Sequence, residues 1–148
     1  MQTRQNQAIS LPFPSRWGID ADIGERPIIR GILNIQSVSG NSVTGTVSFR
    51  NTHQPIIGTW DENRKQLTFE SPYAIFAGQM AIYDDAAIRV RHFVLSGKFT
   101  MKPSSEMPGE FGNWIAASDS RLTGPPIYTG AIPPVGVYLL SDLLYRSQ

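Results

Sequence analysis

Few residues in this chain could do acid–base or metal chemistry. It has two histidines, His53 and His92, in 148 residues, and no cysteine. Disulfides, thiolate nucleophiles and thiolate-bound zinc are therefore excluded. Two histidines and scattered acids could hold a metal, but no ligand spacing supports one, so neither a metal nor a cofactor is expected. His53 lies in "NTHQP", read as a break in the chain, and is expected to be solvated. His92 alternates with Val90 and Val94, which reads as a core or pocket-lining histidine. A general acid–base pair could be drawn from Asp61, Glu62, Asp84 or Asp85. All four fall in turn signals, where acids serve solubility and turn chemistry. There is no Gly-x-Ser-x-Gly, and the isolated glycines form no phosphate loop. No catalytic residue is assigned.

Binding chemistry has better material. Trp60, Tyr73, Gln79, His92, Phe93 and Trp114 combine large apolar surfaces with a few polar groups, the composition of a small-molecule site. Trp60, Tyr73, Phe76 and Trp114 serve as well in a core or an interface. Arg89 and Arg91 share a strand face with Phe93 and Leu95. On an outer face they are solvated; on an inner face they require an anion or carboxylates.

The elements that must position these residues are strands. In "IIRGILNIQSV", Ile29, Leu33 and Ile35 share one face and Arg30, Asn34 and Gln36 the other. "SGN" at 39–41 is a turn, and "SVTGTVSF" then sets Val43, Val47 and Phe49 against Thr44, Thr46 and Ser48. Further strands are read at 56–60, 66–70, 73–83, 87–101 and 113–119, with "DENRK" and Asp84-Asp85 as turns. Gly78, in the middle of "SPYAIFAGQMAIYDD", is expected to bend its strand, as is Gly97. Strands this short, separated by frequent turns, predict an all-β antiparallel up-and-down meander that closes into a seven- or eight-stranded barrel.

Three segments follow: an N-terminal tail and arm at 1–27, a barrel core at 28–119, and a terminal segment at 120–148. Pro12, Pro14, Phe13 and Trp17 mark the arm, which either hangs loose or packs its aromatics on the barrel or a neighbour. "GPPIYTGAIPPVG" is read as extended chain, with room for one short strand near 127–129. Leu139, Leu140, Leu143 and Leu144 predict a short terminal helix packed on the barrel or on a neighbour.

The ordered motifs resemble the avidin and streptavidin family. Thr44-Gly45-Thr46 is similar to the second-strand Thr-Gly-Thr of avidins, "PIIGTWDENRKQLTF" to their third and fourth strands, and "IFAGQMAI" to the fifth. "RHFVL" and "NWIAAS" fall where the sixth and seventh belong. The resemblance covers residues 30–119 and implies an eight-stranded barrel. Its ligand contacts carry over poorly. Val47 stands where avidins place a tyrosine, Ala74 where they place a threonine, and Phe93 where they place a tryptophan; Asn34 is one position from their asparagine. Trp114 matches in kind, and in avidins that tryptophan reaches a neighbouring subunit. Biotin's polar head needs buried partners, so the expected ligand is not biotin.

Thirteen basic residues face twelve acids, a net charge of +1, which offers no footprint for nucleic acid. The stretch Arg89–His92 is too short to supply one. "MQTRQNQAIS" has no apolar h-region and no stretch approaches a membrane span, so a soluble, cytoplasmic protein without a membrane partner is expected. The resulting reading is a non-enzymatic β-barrel that binds a small molecule, and a homo-oligomer through Trp114 and the terminal segments. The alternatives are an assembly module with a filled barrel, and a small barrel enzyme using His92.

Overall fold

The computed structural model describes residues 9–24 and 28–127. Eight antiparallel strands run in chain order: β1 (Ser15–Asp22), β2 (Ile29–Ser39), β3 (Ser42–Phe49), β4 (Thr52–Asp61), β5 (Gln66–Glu70), β6 (Ala74–Asp85), β7 (Val90–Met101) and β8 (Phe111–Arg121). Each pairs with its neighbours, and β1 pairs with β8, so the sheet closes into a barrel with no free edge. The described part contains no helix, and so none that is long and apolar enough to cross a membrane.

The closing strand comes from the segment read as an arm. Trp17, Ile19 and Ala21 point inward from β1, while Arg16, Asp20 and Asp22 point outward. Three alternating apolar residues beside two prolines made a weak signal. The partners are decisive: Ile19 lies opposite both Gly31 and Ala116. The eighth strand is thus N-terminal. The short strand expected near 127–129 falls mostly outside the described residues, and the expected terminal helix falls wholly outside them.

Local chemistry sets the hairpins. Gly40-Asn41 and Arg50-Asn51 are two-residue turns; Gly40, Arg50 and Asn51 take positive φ, as tight hairpins require. The second turn is shorter than the break expected at "NTHQP". Thr52 through Pro55 belong to β4, and His53 is an exposed strand residue. The β4–β5 and β6–β7 turns share one device. Asp61 Oδ1 accepts from Asn63 and Arg64 N–H, and Asp85 Oδ1 accepts from Ala87 and Ile88 N–H. Lys65 and Arg89 then adopt left-handed φ at the end of each turn. Asp61 and Asp85 are held by turn chemistry, as expected of acids there.

Inside, the barrel is filled from one end to beyond its middle. Near the end that holds the β2–β3, β4–β5 and β6–β7 turns lie Trp17, Ile35, Trp60, Leu67, Ile82 and Phe93. Leu11, before β1, is buried with them. Further along, Phe69 stacks on Phe76 at 4.7 Å, and Trp114 meets both edge-on at 5.5 and 5.8 Å.

Candidate ligand-binding cavity

A cavity of about 600 Å³ occupies the opposite end of the barrel. That mouth is formed by the ends of β1, β3, β5 and β7 and the starts of the strands that follow them. Phe76 and Phe99, stacked at 5.4 Å on paired strands, form its deep wall. Ala21, Val47 and Ala74 leave space above them because their side chains are short. Phe49, Met101 and Met107 continue the apolar lining outward. Tyr73, 44% exposed, stands at the opening.

Most hydroxyls around the opening are committed to the backbone. Ser71 Oγ accepts from Tyr73 and Ala74 N–H, Ser104 Oγ donates to the Pro72 carbonyl, and Ser105 Oγ donates to Lys102. These bonds fold the 71–74 corner and the β7–β8 connection into a rim. The arrangement can enclose an apolar body and present polar groups only at its outer end.

Of the six residues singled out from sequence, Tyr73 alone lines this cavity. Trp60 faces inward near the other end, where its indole N–H donates to Glu62 Oε2 at 2.6 Å. Phe93 is buried against Trp17, with ring centres 6.3 Å apart. Trp114 is 2% exposed, and its indole N–H is shared between the carbonyls of Ala77 and Lys98, each at 3.1 Å. It has no surface to offer a second subunit. Gln79 faces outward, with its amide on the Arg64 carbonyl at 3.4 Å.

His92 also faces outward, since it alternates with the interior residues Phe93 and Leu95. It is nonetheless 4% exposed, and its Nδ1 lies 2.7 Å from Asp119 Oδ1 on β8. The pair has the composition of an acid–base dyad. It is separated from the cavity by the barrel wall, so the two features do not form one site.

Asp84 departs from expectation. It is the penultimate residue of β6, not a turn residue, and it points inward opposite Arg91. Its side chain is fully buried, and Arg91 meets both of its oxygens, Nε to Oδ1 at 2.8 Å and Nη2 to Oδ2 at 3.0 Å. The Ile127 backbone N–H also donates to Oδ2. Burial pushes the carboxyl pKa up, but the bonds from Arg91 and Ile127 and the charges of Arg91 and His92 outweigh it, holding the pKa below its ordinary value. The inner-face reading of Arg91 is therefore correct, and its anion is supplied by the protein. Arg89 instead belongs to the turn, where Nη2 donates to the Leu122 and Gly124 carbonyls.

Arg50, Gln54, Phe49, Met101 and Met107 line the cavity and were not singled out from sequence. A partial signal existed. The alternation that buries Val47 also places Phe49 inward, and a tight hairpin then carries Arg50 and Gln54 to the same mouth. Among the described residues, no three His, Asp or Glu side chains cluster as metal ligands would. Compared with known proteins, the chain matches no family model, no curated protein and no solved structure.

Proposed function

We propose that this β-barrel is a binding protein that holds a small, largely apolar molecule in its open end. One observation carries the reading: a barrel packed with aromatics over most of its length keeps a cavity of about 600 Å³ at one mouth. Volumes of this size suit small-molecule sites, whereas a barrel serving only as a scaffold gains stability by filling such space. The reading is non-enzymatic. An avidin-like kinship belongs to it, supported by the order of the motifs along β3 to β8 of an eight-stranded meander. The ligand is not biotin, because Val47 and Ala74 put apolar surface where a polar head would need partners.

Homo-oligomerisation is a further part of the proposal. Its support is outward apolar surface, with Ile57 at 62% and Phe111 at 69% exposed. A cytoplasmic setting is favoured by the absence of cysteine.

The cavity reading is tested by titrating the protein with Nile red, a neutral dye that brightens in apolar surroundings. Saturable binding at one site is expected, and Ala74→Phe should abolish it while circular dichroism still reports a folded barrel. A wild-type protein that shows no saturable binding would remove this function.

A further inference from the structure

We infer that the cavity takes a single-chain anionic amphiphile, with its alkyl tail inside the barrel and its head at Arg50 and Gln54. The inference rests on the cavity reading above and specifies its ligand. The tail follows from the walls. Val47, Phe49, Phe76, Phe99, Met101 and Met107 offer hydrocarbon, thioether and aromatic faces. A buried polar group here would find few partners, because Ser104 and Ser105 donate their hydroxyl hydrogens to backbone carbonyls.

Volume limits the size. At about 30 Å³ per heavy atom, the share of a water molecule in the liquid, 600 Å³ accommodates about 20 atoms. Part of that space is the open mouth, so one chain of about ten carbons fits and a two-chain lipid does not. The Phe76–Phe99 stack closes the inner end, so the tail enters from the mouth and its head stays there.

The head follows from the polar groups left over. Among the described residues, the side chains of Arg50, Gln54, Tyr73 and Glu106 line the cavity without a hydrogen bond or ion pair. Arg50 and Gln54 lie on one hairpin, the turn and the first strand residues after it. Together they provide a planar array of N–H donors beside an amide, which suits a carboxylate or a phosphate. Arg50 also adopts φ +52, a left-handed conformation uncommon for arginine. Glu106 belongs to the β7–β8 connection and carries the opposite charge. It repels an anionic head, so the head is assigned to the hairpin side.

The test is displacement of Nile red at pH 8 by decanoate, decanol and decylammonium, which share a tail and differ in the head. Decanoate should bind about fivefold more tightly than decanol, the scale of one exposed ion pair. Arg50→Gln should erase that preference, read as the ratio of the decanoate and decanol affinities. Added salt should weaken decanoate alone. Decanol equal to decanoate in the wild type, or decylammonium the tightest of the three, would overturn the head assignment while the cavity reading stands. No binding of dye or of any decyl compound would overturn both.

Discussion

The indole of Trp114 occupies the space that a side chain on Gly78 would need: a Cβ added there would lie 2.5 Å from Cζ2. Gly78 also faces Gly97 across the β6–β7 ladder, and the Trp114 N–H bonds to carbonyls on both strands, at Ala77 and Lys98. The glycine in the middle of an apolar strand is thus explained by what rests on it. It admits the ring that ties β8 to β7 and β6.

Gly78→Ala should destabilise the protein by about 1–3 kcal/mol, the cost of overpacking a tight site. Part of that loss should vanish in a Trp114→Leu background, because the clash with the ring is gone. Urea denaturation of the two single variants and the double variant measures the coupling. Strict additivity would show that the Ser96 carbonyl, 2.8 Å from the same added Cβ, is the only obstacle.

Asp84→Asn should cost roughly 3 kcal/mol at neutral pH, since it leaves the Arg91 guanidinium partly buried without its counter-charge. The folded pKa of Asp84 is lowered. Its stabilisation is therefore fully present above the ordinary carboxylate pKa and is lost as pH falls through the lower, folded value. The stability gap between wild type and variant should narrow over that acid window, as followed by thermal melts across pH. A gap that stays constant would show that the pair's charge is not what stabilises this end.

Asp20 should behave with the opposite sign. It faces Arg30 across 3.2 Å on the outer wall, but burial dominates and raises its pKa. A raised carboxylate pKa costs stability once the group ionises, so the penalty is absent below the ordinary value and grows as pH rises through the folded one. Asp20→Asn should be neutral or slightly stabilising at pH 7, with the benefit disappearing in acid. The melts used for Asp84 decide this, and a clear loss at pH 7 would mean that the Arg30 attraction outweighs burial.

The segment before β1 should plug the closed end of the barrel. Leu11 is buried, Lys65 Nζ donates to the Ile9 carbonyl at 2.6 Å, and Ser10 Oγ donates to Glu62 Oε2 at 2.8 Å. Leu11→Ala should cost about 2–4 kcal/mol. Glu62→Gln should loosen the plug without emptying it, seen as faster amide exchange over residues 9–11 with the barrel strands unchanged. Equal exchange in wild type and variant would remove Glu62 as the latch.

Much of the barrel is legible in the sequence because a pleated strand alternates its side chains. Ile29, Leu33 and Ile35, then Val43, Val47 and Phe49, declare an inner face before any partner is known. Short turns between consecutive strands force neighbours to pair, and eight such strands can satisfy every backbone group by closing. The sequence therefore determined an all-β meander and the inner faces of β2 and β3. Three matters needed the tertiary structure. One was the eighth strand, since β1 is recognisable only by the strands on either side of it. Another was the fate of the polar residues: parity along β7 could not say whether Arg91 or His92 faced inward until Asp84 and Asp119 were placed across the ladder. The last was the cavity, for aromatic residues look alike in sequence whether they fill space or border it. Trp114 and Phe93 fill the barrel, while Phe49 and Tyr73 border its empty end, a difference set by depth along the barrel axis, which a linear pattern does not encode.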